Sequence, residues 1–381
     1  MTFISNNRNA VLLSIIMLIA ITIRMLCYVG MTGADDNSIV ASAIQIFENG
    51  LHIPNSHYAL RIGLTIPLSG MFSVFGVSEK AVSILPLIYS MGSILLAYAI
   101  GKEQAGVKVG LYAALMLAVF PLDVGFSTSY YPDVPMGFCL ALTFYSLQRL
   151  QNSTQSWFWV MLAAASWGLG YFIRIEVVFF GFVLISNLIT YKDQRRNVLV
   201  IIILFGCIVF LEHLTYWLLT DQVSHRLNVI THIRMHTNKE FSGTQLWVFP
   251  KAWFITFYEF GLYYYAFFAA LLWSLFHSNY KVSALLVWII TYLVWFQFGG
   301  NPFAAHYGVK SHLLRYLNVL NVPMAVLISL MLQQGIKHIW LRRTILTFLI
   351  SSGLFFINFN QLNHERTHAL KLGMRYVIQN N

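Results

Sequence analysis

An all-α polytopic bundle of about eleven membrane-spanning helices is the fold class this sequence predicts, and three observations predict it. Of its 381 residues, 58% are hydrophobic and only 10% charged, whereas soluble domains carry about 25% charged residues. Apolar segments near the roughly 20 residues that a bilayer requires recur along the chain. Lys and Arg gather between alternate pairs of those segments. The same composition excludes a disordered tail, a collagen-like chain and a disulfide scaffold. Cys27, Cys139 and Cys207 are scattered in or beside apolar stretches, at spacings that suit neither disulfide pairing nor metal binding.

The first apolar run, 10–29, follows Asn6, Asn7 and Arg8 and has no small-residue cleavage site after it. It reads as a retained first span rather than a signal peptide. Further spans are expected at 81–100, 109–122, 134–150, 157–173, 175–191, 198–220, 258–276, 282–298, 317–332 and 345–358. All should be helical, because lipid offers no partners to unpaired backbone groups. Two long connections interrupt them, 31–80 with amphipathic helices and 221–257, with a shorter one at 299–316 and a short tail at 359–381. No repeat with a solenoid period is evident, so 1–381 reads as a single integral domain without a large soluble part.

Charge sets the expected orientation. With the N-terminus in the cytoplasm, eleven of the 24 bases but only two of the 14 acids fall in short cytoplasmic loops, leaving thirteen bases and twelve acids outside. The positive-inside rule therefore places the long connections on the outer face. The net charge of +10 thus reports topology and gives no reason to expect nucleic acid. The cytoplasmic connectors are too short for a nucleotide-binding domain and carry no Gly-rich phosphate loop. Chemistry is expected outside, where a lipid-carried substrate is more accessible than a cytoplasmic nucleotide.

Candidate groups follow from the outer residues. Asp35 and Asp36 stand directly after the first span. Adjacent carboxylates repel, and one of them suits a general base or a divalent-cation ligand. Asp36 equally suits the cap of a helix over 37–49. Asp133, in Tyr130-Tyr131-Pro132-Asp133-Val134-Pro135, opens another helix behind a proline, and Asp123 is of the same kind. Arg174 and Glu176 lie between two spans almost without a loop, where charge is costly; they read as functional groups or as a structural ion pair. Arg315, with Tyr316 beside it and Lys310 and His306 upstream, suits a phosphate. His232 and His236, at i and i+4, fit zinc on one helical face, but also a solvated helix or contact with an anionic substrate. Tyr263, Tyr264 and Tyr265 suit packing, a prenyl tail or a sugar face.

The order and sidedness of these residues resemble the GT-C glycosyltransferases, within them the protein mannosyltransferase-like and lipid A aminoarabinose transferase-like branch. The acidic pair after span one, the Pro132-Asp133 step, Met71-Phe72-Ser73-Val74-Phe75-Gly76-Val77-Ser78-Glu79, Arg174-x-Glu176 and Arg315-Tyr316-Leu317 to Pro323 carry the likeness. Two departures are visible. The first pair is Asp-Asp rather than the usual Asp-Glu, and the outer soluble domain of many members has no counterpart in the short 359–381 tail.

The resemblance implies transfer of a sugar from a polyprenyl-phosphate donor to a hydroxyl on a lipid, glycan or protein acceptor, with inversion, at the outer face of a bacterial inner membrane. It implies Asp35 as general base. Asp36, Asp133 and Glu176 would orient groups or share a divalent cation, for which Asp35, Asp36, His232 and His236 are the candidate ligands. Arg61, Arg174, Lys310 and Arg315 would neutralise the leaving phosphate. A transporter of a lipid-linked sugar and a polysaccharide polymerase or ligase are the competing classes.

Overall fold

The structure is a computed structural model, and it describes residues 2–32, 35–51, 56, 58–151, 156–222, 225–229, 246–255, 260–277, 280–299 and 313–357. Every regular element among these residues is helical. In chain order they are α1 (Thr2–Leu26), α2 (Asp35–Asn49), α3 (Ile62–Phe75), α4 (Glu79–Ala105), α5 (Val107–Ala118) and α6 (Pro121–Phe126). Then follow α7 (Asp133–Leu150), α8 (Ser156–Ile173), a 3-10 turn (Ile175–Phe180), α9 (Gly181–Thr190) and α10 (Arg195–Thr220). After them come α11 (Val248–Phe254), α12 (Tyr263–His277), α13 (Tyr280–Phe298), a 3-10 segment (Leu314–Leu320), α14 (Asn321–Leu330) and α15 (Ile339–Ile357).

Six helical stretches among the described residues are long and apolar enough to cross a membrane, and they differ sharply in burial. The one over Leu314–Gly335 is 89% buried, against 17% for Arg8–Leu26, 22% for Lys192–Thr220 and 11% for Ile339–Ile357. The first is therefore the bundle's centre, and the other three present apolar faces outward. That outward face is the signature of a helix solvated by lipid. The apolar helices Ile62–Phe75, Val107–Ala118, Ile175–Thr190 and Val282–Phe298 fall short of that length criterion. The 12 residues of α5 rise only about 18 Å, against about 30 Å of hydrocarbon. Three of these shorter helices, Val107–Ala118, Ile175–Thr190 and Val282–Phe298, overlap segments expected from the sequence as spans.

The first long connection holds the helix expected at its start. α2 buries Asp36, Ile39, Val40 and Ala43, one stripe at i, i+3, i+4 and i+7, and exposes Asn37, Ala41 and Glu48. α3, apolar nearly throughout and interrupted by Pro67, packs against α2 and α8. Charges assigned to opposite sides also separate in space. Asp133 opens α7, while Arg149 in its last turn pairs with Glu103 of α4 at 2.8 Å. Glu103, Gln104, Gln148, Asn187 and Tyr191 line one small cavity at that second end.

Candidate active site

The end of the bundle that carries Asp133 is built by polar stitching of irregular backbone. Residues 127–131, all buried, connect α6 to α7. The Val29 N–H donates to Thr128 Oγ1 at 3.0 Å, Ser129 Oγ donates to the Gly30 carbonyl at 2.9 Å, and Tyr130 OH donates to the Leu64 carbonyl at 2.8 Å. The end of α1, the α6–α7 connection and the start of α3 are thereby fixed to one another. Such bonds are obligatory for buried backbone that no helix satisfies.

Two glycines bring the remaining elements close. A Cβ on Gly63 would stand 2.9 Å from the backbone nitrogen of Ile173, so only glycine lets the start of α3, and with it Arg61, abut the end of α8 beside Arg174. A Cβ on Gly137 would stand 3.2 Å from the Asn318 carbonyl, where α7 crosses the Leu314–Leu320 segment that carries Arg315.

Charges from four separate parts of the chain alternate here. Arg315 Nη2 donates to Asp35 Oδ2, and Arg315 Nε lies 3.5 Å from Asp133 Oδ2. Arg174 Nη1 donates to Asp133 Oδ1, and Arg174 Nε lies 3.2 Å from Glu176 Oε2. Both guanidiniums rest on aromatic faces, Arg174 at 4.3 Å from the Tyr316 ring centroid and Arg315 at 4.2 Å from that of Tyr131. Tyr58 OH donates to Asp35 Oδ1 at 2.9 Å, and the Arg61 guanidinium lies 5.4 Å from the centroid of the Tyr58 ring. Arg61 is the third cation, and its buried Nη1 has no hydrogen-bond partner among the described residues.

Electrostatics follow from this ladder. Burial alone would raise the Asp35 pKa, but the charge of Arg315, hydrogen bonds from Tyr58 and Arg315, and the charge of Arg61 outweigh it and hold the carboxyl below its ordinary value. Burial pushes the Tyr58 phenol up, and its bond to Asp35 adds to the shift. Burial and the Arg174 charge push Arg61 down, against the opposing pull of Glu176, Asp133 and Asp35. Arg174 shifts upward despite its burial, because Glu176 and Asp133 flank it. A carboxylate kept ionised beside desolvated guanidiniums can accept a proton and lie next to an anion at once.

The acidic pair of the sequence divides. Asp35 joins the ladder; Asp36, fully buried, turns back on its own strand of chain. Its Oδ2 accepts the Thr32 N–H at 2.5 Å and Thr32 Oγ1 at 3.1 Å, and its Oδ1 accepts the Asn37 N–H at 3.1 Å. Asp123 also lies apart, 2.5 Å from the fully buried Arg24 with Ser90 on the same oxygen. Lys310, His306, His232 and His236 lie outside the described residues. Tyr263 and Tyr264 are buried against Phe120. Among the described residues, no three His, Cys, Asp or Glu side chains stand close enough to hold a metal ion. Each ladder carboxylate faces a guanidinium.

Sequence reasoning missed Tyr58, Tyr131 and Thr32. The Tyr58-Ala59-Leu60-Arg61 spacing, a ring three residues before a cation, was the available signal for the first. It also missed a buried pair against α8, Arg226 with Glu212 at 2.9 Å, where Arg226 donates to the Tyr171 carbonyl at 2.8 Å.

A family described as dolichyl-phosphate-mannose-protein mannosyltransferase matches residues 66–217, the stretch that holds Asp133, Arg174 and Glu176. ArnT from Cupriavidus metallidurans, solved with undecaprenyl phosphate, superposes with a TM-score of 0.67 at 14% identity, over 87% of this chain and 62% of that one. The archaeal oligosaccharyltransferase AglB from Archaeoglobus fulgidus, solved with an inhibitory peptide and a dolichol-phosphate, superposes with a TM-score of 0.62 at 13% identity, over 94% of this chain and 56% of that one. The oligosaccharyltransferase of the same archaeon in complex with Zn and sulfate gives 0.57 at 15%, over 92% and 53%.

This is the GT-C glycosyltransferase fold. The resemblance to the protein mannosyltransferase and ArnT kind, carried by the acidic pair and the arginine motifs, is borne out by the family match and both superpositions. The chain spans somewhat over half the length of these GT-C structures. No curated protein sequence matches it.

Proposed function

We propose that this chain is a membrane glycosyltransferase moving a sugar from a polyprenyl-phosphate donor to an acceptor hydroxyl, with Asp35 as general base. One observation carries the reading: Asp35 is held in a ladder of three arginines, one of which, Arg61, keeps a buried donor with no partner among the described residues. A phosphate is the natural partner for that donor. In the reaction, the acceptor oxygen forms a bond to the anomeric carbon while the bond from that carbon to the phosphate oxygen breaks, its electron pair leaving with the phosphate. The hydroxyl proton passes to Asp35. Negative charge thus disappears from Asp35 as it develops on the phosphate, and Arg315 can follow it from one to the other. Interactions that strengthen in this way lower the barrier rather than merely tightening binding.

Attack from the face opposite the phosphate gives inversion. Asp133 and Glu176 orient Arg174 and Arg315, and Tyr316 supports Arg174 from below. We place the site on the outer face of a bacterial inner membrane, with the N-terminus in the cytoplasm; the asymmetry of cationic loops supports this orientation. Hexosyl and pentosyl donors are both compatible with the ladder.

Mass spectrometry of lipid-linked sugars in cells with and without the protein tests the reading. A polyprenyl-phosphate sugar that accumulates in its absence, with loss of one glycoconjugate, is the expected result. Unchanged lipids and glycoconjugates would sink it. A transporter would instead move the lipid-linked sugar across proteoliposomes without a covalent product, and a polymerase or ligase would leave a diphosphate-linked donor to accumulate.

A further inference from the structure

Asp35 is held through both of its oxygens by different parts of the chain. Tyr58 OH donates to Oδ1 at 2.9 Å, and Arg315 Nη2 donates to Oδ2. These partners differ in what a donor phosphate does to them. Arg315 is a cation for which the phosphate competes; the Tyr58 hydroxyl is neutral and is not drawn away. Rotation of a carboxylate about its last bond is soft, so once Arg315 shifts, a single hydrogen bond decides where Oδ2 points.

We propose that Tyr58 is a positioning residue for the proton transfer: it keeps Oδ1 of Asp35 occupied, so that Oδ2, the oxygen Arg315 vacates, takes the acceptor proton. The inference rests on the reading of Asp35 as general base. Tyr58 is suited to the task because its backbone is fixed. The Leu60 N–H donates to the Ser56 carbonyl at 3.0 Å and the Arg61 N–H to the Tyr58 carbonyl at 3.2 Å, and the Leu60 side chain is fully buried. The Arg61 guanidinium lies over the ring of Tyr58, so one short turn links the cation with the unpartnered donor to the orientation of the base. In the step itself the proton moves from the acceptor hydroxyl to Oδ2, the new carbon–oxygen bond forms, and the phosphate departs with the electrons of the broken bond. Tyr58 neither gains nor loses a proton.

The test compares the full chain with Tyr58→Phe, reconstituted with undecaprenyl-phosphate-linked hexoses and pentoses as donors and undecaprenyl phosphate as binding probe. Tyr58→Phe keeps the ring under Arg61 and removes only the hydroxyl. Its kcat is expected to fall about tenfold, the loss of one hydrogen bond to a charged group. Donor KM and undecaprenyl phosphate binding stay within about twofold, because uniform binding is untouched. The acid limb of kcat/KM moves to higher pH, since one of the bonds that lowers the Asp35 pKa is gone. The other groups facing Asp35 are Arg315 and Arg61, with Asp36 and Tyr131 beyond. A purely structural tyrosine would not move that limb.

Wild-type kcat and acid limb in Tyr58→Phe would overturn the proposal. So would loss of undecaprenyl phosphate binding in step with kcat, which would assign the hydroxyl to donor binding. Failure of the underlying reading is separately visible: Asp35→Asn would retain transfer, or the wild-type chain would transfer from none of the donors.

Discussion

Arg315 donates to a carboxylate oxygen of Asp35 across 280 positions of sequence. Its Nε faces Asp133, so one guanidinium ties the first long connection, the start of α7 and the late 3-10 segment together. A fork with separate donors is needed for this, and a lysine ammonium cannot reproduce it. Arg315→Lys is expected to lower kcat/KM about 10- to 100-fold, and Arg315→Gln to lower it further by removing the charge the phosphate meets. Steady-state kinetics on the reconstituted protein checks both; equal activity of Lys and Arg would show that only charge matters there.

Asp36 gives the opposite expectation to its neighbour. It accepts from the Thr32 backbone and hydroxyl and from the Asn37 N–H, and its side chain is fully buried. Asp36→Ala should therefore act on stability, costing about 1–3 kcal/mol for buried donors left unsatisfied, while the folded fraction keeps most of its turnover. Thermal unfolding in detergent beside a transfer assay separates the two effects. A variant of normal Tm with no turnover would put Asp36 in the chemistry instead.

The pH dependence has a definite sign. Burial works to raise the Asp35 pKa, but Arg315, Tyr58 and Arg61 bring it below its ordinary value of 3.8. A carboxyl whose folded pKa is depressed contributes stability that is present above the unfolded value and is lost as pH falls through the folded one. Activity that needs ionised Asp35 should likewise persist to about pH 4 and fall only below it. Arg315→Gln removes the largest depressing influence and moves the acid limb upward. A pH–rate profile of both proteins checks this, and an unmoved limb would mean another group sets it.

Gly63 is where packing controls the site. A side chain there meets the backbone of Phe172 and Ile173 as well as the Ile173 side chain, and the backbone cannot yield. Gly63→Val should push α3 from α8 and draw Arg61 away from Arg174. kcat/KM is expected to drop about tenfold or more, since small misplacements of catalytic groups are costly, with helical circular dichroism unchanged. Retained wild-type kinetics would show that the α3–α8 contact does not position Arg61.

Much of this site was legible in the sequence because charges are rare in an apolar chain. Asp35, Asp133, Arg174, Glu176 and Arg315 each stood out as costly groups at span ends, and the structure brings all five together. Adjacent carboxylates look alike in sequence, and only helix phase separates Asp36, on the buried stripe of α2, from Asp35. Tyr58 was missed for a different reason: with 20 tyrosines in the chain, its place three residues before Arg61 is a weak signal until its hydroxyl is seen on Asp35. The helical class was evident from hydropathy, whereas the length of an element was not: α5, expected over 109–122, is a helix of 12 residues.

The most direct measurement is single-turnover transfer by purified, reconstituted Asp35→Asn beside the wild type, with undecaprenyl-phosphate-linked sugars as donors. Asn keeps the shape and cannot take a proton. The expected result is undecaprenyl phosphate binding close to wild type and a rate of glycosyl transfer lower by about 10²- to 10⁴-fold, the range for losing a general base. Transfer at the wild-type rate in Asp35→Asn would contradict the account.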